Sequence, residues 1–134
     1  MKKLILLLFA IIVPFFISCS SDEKEDSHRN PTTKELSSIK MFVYADTMKN
    51  EVYTLAFGTD IMTSYRSRND KIVEYETFEY SISGDQITLK SKRVNATSSY
   101  IITAKIYDVA SYPHLVISGK NMPSSISAGD YMSV

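Results

Sequence analysis

The chain of 134 residues has one cysteine, two histidines, four glycines and no tryptophan, and its formal net charge is zero. Each shortage removes a class of function. A lone thiol at Cys19 excludes an internal disulfide, so any fold must hold by packing alone. His28 and His114 are too few for a paired-histidine metal site or a Ser-His-Asp arrangement. His28 reads as a solvated residue and His114 as a strand-end surface residue. Four glycines leave no Gly-rich phosphate loop, and the sequence has no Asp/Asn ladder of the EF-hand kind. Without tryptophan a strong sugar-stacking platform is disfavoured. Fifteen basic residues balance fifteen acidic ones, and loss of Lys2 and Lys3 with an N-terminal signal would leave minus two. Phosphate backbones demand a concentrated excess of Lys and Arg, which argues against nucleic acid as a partner. No cofactor is implied.

What is present begins at the N-terminus. Lys2 and Lys3 precede an apolar run from Leu4 to Ile17, closed by Ser18-Cys19-Ser20. A Lys-flanked apolar segment ending at a small residue has the form of a secretory signal. The run is shorter than the roughly twenty residues needed to cross a bilayer, and Pro14 interrupts it. Phe16-Ile17-Ser18-Cys19 resembles the lipobox of bacterial lipoproteins. That resemblance implies cleavage before Cys19, a thioether-linked diacylglycerol on its sulfur and an amide-linked acyl chain such as palmitate. It also implies a lipid anchor in the outer membrane. Several acyl chains at about 0.8 kcal/mol per buried methylene anchor a protein stably. An acylated Cys19 has no thiolate for nucleophilic or metal chemistry.

The next residues, Ser20 to Asp26, are hydrophilic and acid-rich, and Pro31 follows. With no apolar surface to offset ordering entropy, this stretch reads as a disordered tether. Acidic residues just past the lipidated cysteine are similar to the signal that exports lipoproteins to the outer face of the outer membrane in some Gram-negative anaerobes. The chain thus divides into a signal helix over 1–18, a tether over 19–33 and one domain over 34–134.

That domain is rich in Tyr, Ile, Val, Thr and Ser and has no long apolar pattern at helical spacing, which predicts an all-β fold. Tyr53, Leu55 and Phe57 alternate onto one face before the turn Gly58-Thr59-Asp60. The clearest hairpin runs from Phe78 to Lys90 around Gly84-Asp85. In that register Ile82 faces Ile87, Tyr80 faces Leu89, Ser81 faces Thr88, Glu79 faces Lys90 and, further out, Glu76 meets Arg93. A three-residue loop starting at Asn69 would set Arg66 opposite Glu74. Asn95-Ala96-Thr97 reads as a turn, Ser99 to Val109 as a strand with Ile102, Ala104 and Ile106 on one face, Tyr112-Pro113 as a break and His114 to Ser118 as another strand. Ile101 and Tyr107 on the opposite face predict partial cover there.

Seven or so short strands joined by turns predict an antiparallel up-and-down meander that curls and closes to remove its edges. Phe57-Gly58-Thr59-Asp60, a strand, and then Phe78 to Leu89 resemble the small lipocalin-like domains of many bacterial lipoproteins. The resemblance covers Val52 to Leu89 and implies a lipocalin-like barrel, with a flattened barrel or β-sandwich as alternatives. It implies a non-enzymatic binding module holding a small apolar or amphipathic ligand, for which the inward candidates are Tyr53, Leu55, Phe57, Phe78, Tyr80, Ile82, Ile87 and Leu89. The other reading is a structural or interaction lipoprotein that presents barrel loops or a sheet edge to an envelope or surface protein. The carboxylates Glu74, Glu76 and Glu79 fit cross-strand ion pairs better than glycosidase chemistry, since Glu74 and Glu76 share a face and Glu79 takes the other. No base, nucleophile and orienting group can be named together, so no enzyme is expected.

Overall fold

The computed structural model describes residues 28–134 apart from 94, 96 and 97. The predicted signal helix, Cys19, most of the predicted tether and two residues of the predicted Asn95-Ala96-Thr97 turn therefore lie outside the described residues. Eight strands form one closed antiparallel barrel in simple chain order. They are β1 (Met41–Asp46), β2 (Glu51–Phe57), β3 (Ile61–Arg68), β4 (Lys71–Ser83), β5 (Gln86–Ser91), β6 (Ser99–Val109), β7 (Tyr112–Ser118) and β8 (Gly129–Ser133). β1 closes the cylinder against β8 through Phe42↔Ser133 and Val43↔Met132. Closure decides against the sandwich and leaves no free edge between β1 and β8 to offer a partner.

One short helix, α1 (Thr33–Ile39), precedes the barrel, an element absent from the sequence expectation. Thr32 starts it by accepting the Glu35 N–H at 3.1 Å, as an N-cap residue does. Lys40 ends it at φ 76°, donating its N–H to the Leu36 carbonyl. Seven residues do not sustain a helix by propensity alone. Leu36 supplies the tertiary support, since it is fully buried in the barrel core. The Lys40 carbonyl accepts the Phe57 N–H at 2.8 Å, which fixes α1 to the end of the barrel where β2 finishes. Order also begins earlier than Lys34, correcting the tether boundary. Arg29 exchanges both backbone hydrogen bonds with Ile106 at 2.8 Å, and Pro31 is buried. β5 begins at Gln86, opposite Thr103, so the lower part of β6 has no β5 partner. Arg29 covers that gap.

The hairpin around Gly84-Asp85 has the predicted register, with Ile82↔Ile87, Tyr80↔Leu89, Ser81↔Thr88 and Glu79↔Lys90. Glu79 takes its ion pair from Lys92 rather than Lys90, at 3.5 Å, and Glu76 pairs with Arg93 at 3.2 Å. Arg66 lies opposite Glu74 as predicted, but by a different route. Asn69 and Asp70, both at positive φ, make a two-residue turn, and a register shift between Arg66 and Ser67 leaves Val73 as an extra residue. Pro113 does not break β7, because the pairing of β7 with β8 starts only at His114↔Met132 and Pro113 has no ladder bond to lose on that side.

Inward positions alternate along the strands, except at the Val73 bulge in β4. Aromatic rings pack edge to face across the interior, Phe42 on Phe57 at 6.0 Å and Phe57 on Tyr80 at 5.4 Å. The long connection over residues 119–128 folds into the barrel end opposite α1. Pro123, Ser125 and Ile126 are buried there, and the Ser125 hydroxyl meets that of inward-facing Ser64. Gly129 starts β8 against the ring of Tyr44, where a Cβ would lie 2.8 Å from the ring, so only glycine permits the approach.

Gly84 sits at φ 63° with open space around it, so a side chain there meets conformational cost alone. We expect Gly84→Val to destabilise the domain by about 1 kcal/mol or more, lowering the melting midpoint by about 4–8 °C per kcal/mol. Gly84→Asn should lose less. An unchanged midpoint for the valine variant would contradict the hairpin.

Candidate functional site

The barrel interior is where a ligand site was expected. Tyr53, Leu55, Phe57, Phe78, Tyr80, Ile87 and Leu89 all point into it and are buried, while Ile82 packs partly buried against its rim. Leu55, Phe78, Ile87 and Leu89, with Phe42, Met62, Ile102 and Leu115, have no accessible surface at all. A void able to admit even water would expose some of that surface. These side chains fill the interior and touch one another, as an eight-stranded cylinder permits. The eight candidates come together as foreseen, but as core.

At the end opposite α1 a charged network closes the barrel. Glu51, at the start of β2, is only 4% exposed. Its carboxylate accepts from the Tyr53 hydroxyl at 2.7 Å, from Arg66 at 2.8 Å and from Arg68. Arg66 also donates two bonds to Glu74, at 2.9 and 3.2 Å, and the Ser124 hydroxyl donates to Glu74 from the 119–128 connection. The Tyr53 hydroxyl and Arg68, with Arg66, hold the Glu51 carboxyl down at about 2, outweighing the burial that opposes them. Ser124 and Arg66 likewise lower Glu74. Burial and the Glu51 carboxylate push the Tyr53 hydroxyl up to about 12. A general acid needs a proton to give near working pH, and both carboxyls are driven the other way. The network ties β2, β3, β4 and the connection together. Glu51, Arg68 and Ser124 were not singled out in the sequence, because their partners lie up to fifty positions away.

Both histidines converge on one tyrosine. His28 stacks on the Tyr107 ring at 4.5 Å, so it belongs to the barrel surface rather than to a tether, and His114 tilts against the same ring at 5.2 Å. Tyr107 donates its hydroxyl to Asp130, and His114 Nδ1 lies 3.0 Å from the other oxygen of that carboxylate. The Asp130 bond pushes the Tyr107 hydroxyl up to about 12. This is the partial cover predicted for Tyr107, while Ile101 is exposed. Among the described residues no group of three or more His, Cys, Asp or Glu is placed to hold a metal ion.

The outer face of β3 and β4 carries the most pronounced apolar recess described. Tyr65 and Tyr75 stack side by side at 6.2 Å, and the hydroxyls of Thr63 and Thr77 bond across the strands at 3.2 Å. Ile72 and Val73, displaced by the bulge, complete an open groove of about 500 Å³. Tyr75 is 64% exposed and Ile72 59%. Isolated apolar residues on a surface are ordinary, but four adjoining ones in a concave setting have the composition of a contact site. The one signal in the sequence was the Ile72-Val73 pair, which violates strand alternation where the bulge falls. No protein-family model, curated protein or solved structure matches the chain.

The native state keeps Glu51 ionised down to about 2, whereas the unfolded chain binds the proton near the ordinary 4.5. Its stabilisation is therefore complete above about 4.5 and lost as pH falls through about 2. Glu51→Gln should melt below the wild type at neutral pH, and the gap should close across that acid range. A gap independent of pH would contradict the network.

Proposed function

We propose that this chain is a non-enzymatic lipoprotein of the bacterial cell envelope, anchored to the outer membrane through Cys19, whose barrel is a scaffold for an external contact face. The observation that carries this reading is the filled interior. A carrier of small apolar molecules needs a cavity of several hundred cubic ångströms, and here that volume is occupied by Phe42, Phe78, Tyr131 and their neighbours. An envelope or surface protein is the better-supported partner than a ligand inside the barrel. The groove formed by Tyr65, Ile72, Val73 and Tyr75 is the proposed contact, with aromatic anchors of the kind that dominate protein interfaces.

The anchor is supported by the Phe16-Ile17-Ser18-Cys19 motif. Membrane-spanning barrels turn an apolar band outward, whereas here the apolar positions of the strands turn inward, as Leu55, Ile87 and Ile106 illustrate. Attachment then falls to the lipid, and the acid-rich stretch after Cys19 suits display on the exterior face.

A photoreactive residue in place of Tyr75, compared with one in place of exposed Lys90, tests both parts in living cells. We expect a discrete protein adduct from position 75 alone, lost when Cys19→Ala releases the chain from the membrane fraction. Membrane retention of the Cys19→Ala chain, or equal labelling at both positions, would contradict the proposal.

A further inference from the structure

The first described residues bear on which end of the barrel would face an anchor at Cys19. Arg29 pairs antiparallel with Ile106, and His28 lies on the ring of Tyr107. From Arg29 back to His28 the chain therefore points along β6 towards Val109 and the β6–β7 turn. That is the α1 end of the barrel. Cys19 lies nine peptide steps before His28, a reach of at most about 30 Å even when fully extended. Ser99 starts β6 at the other end, eight residues from Tyr107 and roughly 26 Å away at about 3.3 Å per residue. Turning that end to the membrane would consume nearly the whole tether.

The surface that faces the anchor side has the chemistry of a lipid contact. Val109 and Tyr112 pair across the β6–β7 turn, and both are exposed, Tyr112 by 68%. The two residues between them, Ala110 and Ser111, stand at φ 52° and 74°. A two-residue turn of this form ordinarily uses Asn, Asp or Gly, as Asn69-Asp70 does at the opposite end. Here the tip is uncharged from Val109 to Tyr112. Alongside it, Val134 donates its N–H to the Met41 carbonyl, and both side chains are exposed, Val134 by 79%. Lys40 is exposed next to Met41. Two carboxylates on β6 and β8 are engaged by neighbours, Asp108 by Arg29 at 3.3 Å and Asp130 by Tyr107 and His114, while Asp60 and Asp85 belong to the β2–β3 and β4–β5 turns of the same end. Apolar side chains, a tyrosine and a lysine at one rim match the composition by which proteins rest in the headgroup layer.

We propose that the α1 end of the barrel, through Val109, Tyr112, Val134 and Met41, seats on the lipid surface that holds the anchor. The proposal rests on acylation of Cys19. It places the loops of residues 47–50, 69–70 and 119–128, and the upper part of the Tyr65–Tyr75 groove, on the side away from the membrane. The turn tip is then a second, shallow contact that fixes orientation, while the acyl chains supply the affinity.

The test uses the full acylated chain in phosphatidylethanolamine and phosphatidylglycerol vesicles, with one added cysteine carrying an environment-sensitive fluorophore. Tyr112→Cys places it at the tip and Met48→Cys places it at the opposite end, on a residue 94% exposed. We expect a blue shift at position 112, loss of most of its emission to nitroxide-labelled lipid, and neither effect at position 48. A chain that floats with vesicles while position 112 reports water, or while position 48 is quenched instead, overturns the orientation and leaves the anchor standing. A chain whose intact mass shows no acyl groups on Cys19 overturns both.

Discussion

Eight antiparallel strands closed on themselves leave a cylinder whose width equals what inward side chains can fill, and the rest of this molecule follows from that fit. Most inward positions carry bulk, and the elements that cover the two ends each bring an apolar residue of their own. Leu36 does this from α1 and Ile126 from the 119–128 connection. Buried polar atoms are admitted in matched sets, such as Ser64 with Ser125 and Glu51 with Tyr53, Arg66 and Arg68. A packed core substitutes for the disulfides that a chain with one cysteine cannot form. The same packing fills the interior with buried side chains, and for that reason the proposed contact is placed on the outer surface.

That surface is divided along the barrel axis. The ion-pair network and the 119–128 connection make one end polar and tied together, whereas the α1 end shows an uncharged turn tip and exposed Val134 and Met41. The apolar groove on β3 and β4 exists because a bulge at Val73 sets two consecutive apolar residues on the outside. One inserted residue therefore does two jobs. It keeps Arg66 opposite Glu74 inside the barrel and creates the recess outside.

Much of the barrel was legible in the sequence because its information is local. Alternation and turn chemistry sufficed for the register around Gly84, for the inward faces of β2 and β6, and for the pairings of Arg66 with Glu74 and Glu76 with Arg93. What escaped depends on tertiary contact. The α1 helix has no strong propensity of its own and forms because Leu36 finds the core. The docking of Arg29 is decided by the place where β5 stops, and Pro113 is tolerated because β8 pairs with β7 only from His114. The interior candidates were all identified correctly as inward, yet inwardness alone does not separate a cavity lining from a core. That distinction depends on how the side chains interdigitate, which no periodicity encodes.

Native mass spectrometry of the full protein, extracted from its host membrane in mild detergent, tests the account most directly. The account predicts a mass equal to residues 19–134 plus acyl groups, with no further small molecule retained. A reproducible bound apolar molecule, held at one per chain and released only on unfolding, would contradict a barrel filled by its own side chains.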